Sequence, residues 1–216
     1  VPAPVPRPDP RGRAVLGLVV DTGRDPVTRL RLHGRSLAAH AVDTLVAVQG
    51  IDAVVVGSSH RGVAELPADA PWRLHAGGAL VVHDAHCPLL PGTAISDCLQ
   101  ELATAAPGTA AVIGVRPVTD TIKEMVDGAV VGTVDRDSLA ALASPVVVAH
   151  DVLDELSACL PRAGDLADLL AVVQALTGLG AVIPVQVPSS ARRISDQEDV
   201  ELLECLHELR QTLRER

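Results

Sequence analysis

Apolar residues fall along this chain in short closed runs, and between the runs they recur at helical spacing. The first run, Arg13 to Val20, stops at Asp21, Thr22 and Gly23, a turn signal, and predicts an opening strand. Ser36 to Val48 repeats apolar positions with helical period behind Ser36, a residue suited to cap a helix. Ile51 to Gly57 predicts a second strand, and Ala79 to His83 a third that closes on Asp84. Thr93 to Ala105 then reads as a helix and Thr109 to Gly114 as a further buried strand. Strand and helix in alternation is the grammar of a doubly wound α/β sheet with right-handed crossovers.

The rhythm changes after Gly114. Two β-capable runs, Thr119 to Val126 and Ala129 to Val134, flank Asp127 and Gly128, a hairpin signal. A hairpin has no slot in a parallel sheet, so it is expected to project. A ribbon exposing Ile122, Met125, Val130 and Val131 calls for a partner, and a second copy of the chain is the simplest one. Downstream lie a short strand near Pro145 to Val148 and helices near 150–160 and 165–178. A last strand follows, Ala181 to Val187, placed at an edge by Pro184. Ser195 and Glu198 have capping-box spacing and open a helix carrying Leu202, Leu203, Leu206, Leu209 and Leu213 on one stripe.

Length changes this picture little, since 216 residues fit one α/β domain of ~200–250. Residues 1–13 are Pro-rich and expected to form an extended, poorly ordered arm, leaving 14–216 as one domain. Composition matters more. There is no Phe or Tyr and only Trp72, so the core must be packed from Val, Leu, Ile and Ala, as strands covered on both faces are. Lack of rings and a net charge of -9 argue against nucleic acid and anionic membranes as partners. No apolar run approaches the ~20 residues of a membrane span. The stretch from Val1 to Pro10 has no secretory pattern, so a cytoplasmic location is expected. Cys87, Cys98, Cys159 and Cys205 show no metal or redox spacing and are expected to be buried, reduced thiols.

Candidate chemistry gathers at strand ends, where open α/β sheets bind ligands. Asp84 ends a central strand and suits either a Mg²⁺ ion held against phosphate or a turn cap. His83 and His86 invite a metal reading but suggest no third ligand.

The sequence His83-Asp84-Ala85, then Pro117 through Asp120-Thr121-Ile122-Lys123, then Thr133-Val134-Asp135-Arg136 and Arg193-Ile194-Ser195, resembles the 2-C-methyl-D-erythritol 4-phosphate cytidylyltransferases. The resemblance runs from about residue 14 to the end. It implies a Rossmann-like, three-layer nucleotidyltransferase fold, a mostly parallel sheet with a projecting β-hairpin arm at about 117–137 that joins two subunits. It further implies CMP transfer from CTP to a sugar-alcohol phosphate, with Mg²⁺ as cofactor. Carried over by position, Asp84 would hold metal and nucleotide, and Arg193 would stand where the family has a catalytic lysine near the phosphates. Thr121 and Arg136 from the partner's arm would grip the sugar phosphate.

Departures from the family concentrate in the nucleotide half. The family's long glycine-rich loop shrinks to Asp21, Thr22, Gly23, Arg24 and Asp25 before Pro26, and Val27 replaces the lysine after that proline. Arg24 is the loop's remaining cation, a weak catalytic candidate. A carboxylate such as Asp21 at ~4 Å from a phosphate costs ~4 kcal/mol at an effective dielectric near 20. Ala76-Gly77-Gly78 runs straight into the third strand, without the helix that would bind cytosine and ribose, and Cys87 stands where an arginine is usual. Two outcomes are expected: a working enzyme with a reduced loop, or a paralogue with weakened CTP chemistry that binds a phosphorylated metabolite or a protein partner. A transferase for another nucleotide or sugar phosphate is a third.

Overall fold

The computed structural model describes residues 14–21, 26–58, 78–160, 166 and 168–214. The predicted arm at 1–13, the loop residues Thr22, Gly23, Arg24 and Asp25, and Trp72 lie outside them. One six-stranded sheet organises the chain, in the order β10-β6-β9-β5-β1-β4. Its parallel members are β1 (Val15–Asp21), β4 (Ala53–Ser58), β5 (Ala79–Asp84), β6 (Thr109–Pro117) and β10 (Ala181–Gln186). Between β1 and β4 stand the two-residue strands β2 (Arg31–Leu32) and β3 (Arg35–Ser36), which pair with each other, and helix α1 (Leu37–Ala47). Ser36 caps α1 as its side-chain oxygen accepts from the Ala39 amide.

Both faces of the sheet are apolar because successive side chains alternate across it. Val19, Val81, Val112 and Val147 face α1 and α2 (Gly92–Thr104), meeting Leu45 and Ile95. Leu18, Val82, Ile113 and Val146 face α3 (Leu153–Cys159) and α4 (Leu169–Leu179), meeting Leu156 and Leu176. The result is a three-layer α/β fold with a mostly parallel sheet, as expected. Pro184 lies on β10, an edge strand, where its missing N–H is tolerated.

Three expectations change. The short strand at 145–148 is the middle of β9 (Ala140–Ala149), ten residues long and antiparallel to both β5 and β6. Its first half pairs with an extension of β6, Gly114 to Pro117. The pairing shifts between Ile113 and Gly114, and a Cβ at 114 would lie 2.7 Å from the Ser144 carbonyl oxygen, so glycine is required. The cap of α5 (Gln197–Arg214) is displaced by one residue: Asp196 accepts from the Asp199 amide, and Asp199 reaches back to the Ser195 amide. Only Leu203 of the α5 leucines with described side chains is buried, while Leu202, Leu206 and Leu209 are exposed. The reason is that α5 docks at its first turns alone, through Val200 and Leu203 against Leu32 and Leu37.

Beyond Pro117 and Ala140 the chain leaves the main sheet as β7 (Ile122–Val126) and β8 (Ala129–Val134), which pair only with each other among the described residues. Asp127 and Gly128 turn with φ of 50° and 80°, the left-handed geometry of a tight hairpin. Met125, Val126, Val130 and Val131 are more than half exposed.

Candidate functional site

The carboxyl ends of β1 and β5 lie side by side, with Val20 in register with Asp84. The chain turns directly after Asp84. The Ala85 amide donates to the Val20 carbonyl, the Cys87 amide to the Asp84 carbonyl, and the His86 amide to Asp84 Oδ1 at 2.9 Å. The carboxylate thus caps its own turn, one of the two roles its sequence position suggests. His83, Asp84 and His86 are all buried.

The second half of the site arrives from the other end of the chain. Ile194 is fully buried against Leu32, Leu37, Val200 and Leu203, and its amide donates to the His86 carbonyl at 2.8 Å. This anchoring sets Arg193 over the turn. Its Nε donates to Asp84 Oδ2 at 2.8 Å, and its Nη2 lies 2.9 Å from His86 Nδ1. His86 Nδ1 is also 3.0 Å from Asp84 Oδ1. Nδ1 has one hydrogen-bonding direction and two neighbours. The Nδ1–H tautomer donates to Asp84, whereas the Nε2–H tautomer accepts from Arg193.

Electrostatics follows from this packing. Burial alone would raise the Asp84 carboxyl, but hydrogen bonds from His86 and the Arg193 charge outweigh it and hold it below the usual value. His83 lies on the other side of the turn. Burial lowers it to about 4, against the opposing pull of Asp84, so it is neutral near pH 7. Its Nδ1 is 2.6 Å from Ser144 Oγ, which also accepts from the Asp84 amide at 3.2 Å. The Nε2 atoms of His83 and His86 are buried without a hydrogen-bond partner among the described residues.

Mg²⁺ does not fit Asp84 as placed. Oδ1 faces two His86 nitrogens and Oδ2 faces a guanidinium, so a cation at either oxygen would meet donors or positive charge. Among the described residues no cluster of three or more His, Cys, Asp or Glu side chains is placed to hold a metal.

The fold therefore brings Asp84 and Arg193 together. Asp21 ends the neighbouring strand, one residue past the register partner of Asp84. Thr121 and Arg136 sit at the base of the arm, exposed, with Arg136 Nη1 donating to the Thr119 carbonyl at 2.9 Å. Val27 lies in a 3-10 turn, Pro26–Arg29, buried in the same apolar cluster as Ile194. Two of the four cysteines, Cys87 and Cys98, are buried, whereas Cys159 and Cys205 are exposed, because their helix faces have no cover. Sequence reasoning missed Arg116 and Ser144. The signal for Arg116 was a lone cation ending the apolar run Thr109 to Val115; nothing local marked Ser144. Two surface concavities lie elsewhere, one beside α1 and α5 and one at the amino ends of the strands.

A protein-family model described as "IspD: 2-C-methyl-D-erythritol 4-phosphate cytidylyltransferase" matches residues 74–206, more than half the chain. A 2-C-methyl-D-erythritol 4-phosphate cytidylyltransferase of Saccharopolyspora erythraea is 36% identical over 107 residues, covering 49% of this chain and 45% of the relative. One from Rhodococcus jostii is 33% identical over 141 residues, covering 56% and 61%. The chain spans between about a third and three fifths of the length of the curated relatives it matches. The crystal structure of the Thermus thermophilus enzyme of that name superposes with a TM-score of 0.66 at 20% identity, covering 88% of this chain and 98% of that one. Among the described residues, no helix is long and apolar enough to cross a membrane.

Proposed function

Since the chain belongs to the 2-C-methyl-D-erythritol 4-phosphate cytidylyltransferase family, we propose that it retains a sugar-alcohol-phosphate site while its CTP chemistry is weakened or lost. The observation that carries this reading is the state of Asp84. The acid that the family resemblance assigns to Mg²⁺ and nucleotide is committed to an internal pair with Arg193 and to a hydrogen bond from the His86 amide, with His86 Nδ1 3.0 Å from the same oxygen. Releasing it for a metal-bound nucleotide means breaking a partly buried ion pair. With Asp84 buried but Arg193 42% exposed, the cost is about 1–3 kcal/mol.

Val27 supports the same reading. The family resemblance assigns a phosphate-clamping lysine to that position, whereas Val27 packs into the apolar cluster with Leu32, Leu37 and Ile194. Loss of a clamping cation removes charge stabilisation where it matters most for phosphoryl transfer. In this chain Arg193 is spent on Asp84, held over the turn by the Ile194 amide on the His86 carbonyl.

The arm is read as a dimer contact. Its apolar face is exposed, its strands pair only with each other among the described residues, and a second copy would cover Met125, Val126, Val130 and Val131. In that dimer Thr121 and Arg136 would be delivered to the partner's Asp84 site, completing a phosphate grip. The ligand is therefore a phosphorylated metabolite.

Isothermal titration calorimetry tests this division. The full chain should bind methylerythritol phosphate and show at least about a hundredfold weaker affinity for CTP with Mg²⁺ than the Rhodococcus jostii relative. Equal CTP affinity in the two proteins would contradict it.

A further inference from the structure

Arg116 is the last residue but one of β6 before the arm, opposite Ala141 of β9. It shares a sheet face with Gly114, two residues earlier, where a Cβ would meet Val187 at 3.1 Å. Val187 begins the segment that leads to Arg193, so Arg116 rises on the side of the sheet that this segment covers. Its reach is visible at Cys87, three residues after Asp84. Burial pushes that thiol up to about 12, helped by Asp84, while a hydrogen bond from the Ser144 backbone and then the charges of Arg193 and Arg116 pull against the rise. Geometry agrees: Ser144, whose carbonyl oxygen would lie 2.7 Å from a Cβ at 114, also accepts from the Asp84 amide at 3.2 Å, so this end of β6 lies beside the same buried turn.

Their situations differ. Arg193 is paired with Asp84. Arg116 is only partly exposed, its Nε is buried without an acceptor, and it takes part in none of the ion pairs among the described residues. A guanidinium cannot shed its charge, and a buried N–H without an acceptor is costly, in a chain that carries an excess of acid. The planar fork of an arginine matches one class of ligand that resolves both problems, an oxyanion with several acceptor oxygens.

We propose that Arg116 is an anion-binding residue of this site, its guanidinium donating to a phosphate oxyanion beside the Asp84 turn. The choice of phosphate over other oxyanions rests on the proposed function, in which the ligand is phosphorylated. The arrangement divides labour between two arginines. Arg193 neutralises Asp84 and holds the turn, and Arg116 supplies the charge that recognises ligand.

The test uses the full chain as wild type, Arg116→Gln and Arg116→Lys, with thermal melts and calorimetry against inorganic phosphate, pyrophosphate and methylerythritol phosphate. Sodium acetate at equal ionic strength serves as the control. Wild type should be stabilised by at least one phosphate probe and not by acetate. Arg116→Gln should bind that probe about tenfold more weakly, and Arg116→Lys should fall between. Without ligand, Arg116→Gln should melt no lower than wild type, because it removes an unpaired cation. Whichever probe loses most identifies which phosphate Arg116 holds. Equal phosphate affinity in wild type and Arg116→Gln, no phosphate binding by wild type, or equal stabilisation by acetate would each overturn the proposal. Efficient CTP turnover would contradict the reading of weakened nucleotide chemistry and leave Arg116 to be judged by the phosphate titration alone.

Discussion

Arg193 Nε meets Asp84 Oδ2 at 2.8 Å, closing a contact between residues 109 positions apart. The pair joins the end of a central strand to the segment that enters α5. It is backed by the Ile194 amide on the His86 carbonyl and by the buried Ile194 side chain. Position in the fold, not local sequence, makes these two residues partners.

Removing the cation should expose what it neutralises. Arg193→Met leaves Asp84 buried with only His86 for support, and a loss of about 1–3 kcal/mol in urea unfolding is expected, since half-exposed Arg193 is partly screened. The sign with pH is fixed by the lowered Asp84 carboxyl. Its contribution is present above the ordinary value of 3.8 and lost as pH falls through the folded value. Arg193→Met shrinks that contribution, so its acid unfolding midpoint should move to higher pH.

His83 supplies a separate pH effect. Held at about 4 against 6.5 when unfolded, it binds fewer protons folded than unfolded, so stability should fall as pH drops from about 6.5 toward 4. The full effect is about 3 kcal/mol from a shift of that size. His83→Gln retains a polar group for Ser144 and should flatten the slope in that window. Unfolding free energies at pH 7 and pH 4.5 measure it, and identical slopes in both proteins would refute the assignment.

The arm offers a test of assembly. Val130→Glu places charge in the middle of its exposed apolar face. Analytical ultracentrifugation should report a dimer for wild type and a monomer for the variant, with unchanged circular dichroism. A wild-type monomer would remove the arm's proposed role.

Gly114→Ala tests the crossing of β6 and β9. A methyl group 2.7 Å from the Ser144 carbonyl forces those strands apart, so a loss of about 1–3 kcal/mol is expected. Because Ser144 also holds His83 and the Asp84 amide, chemical shifts of both histidines should move with it.

Much of this architecture is legible in local pattern. Runs such as Leu16 to Val20 and Leu80 to Val82 are apolar on both faces because both faces are covered, and Asp127-Gly128 marks the hairpin through backbone geometry alone. What stays hidden depends on distant partners. Ala140 to Ala143 are weak strand formers whose strand exists only because the β6 extension pairs with them. Asp196 and Asp199 outcompete Ser195 and Glu198 for the α5 cap because Asp199 is also held by Arg192 at 2.7 Å. Asp84 was legible as an acid ending a central strand, but its engagement by Arg193 was not, since no spacing rule joins residues that far apart. Arg116 was overlooked because a charge at a strand end is ordinarily a solvated one.

Whether Asp84 and its surroundings still support nucleotide chemistry is tested most directly by pyrophosphate release from CTP, Mg²⁺ and methylerythritol phosphate. The Rhodococcus jostii relative is assayed beside this chain. A kcat/KM lower by at least about a thousandfold is expected, equivalent to roughly 4 kcal/mol of lost transition-state stabilisation. Turnover within tenfold of the relative would contradict the account, and would mean that Asp84 parts from Arg193 whenever the nucleotide binds.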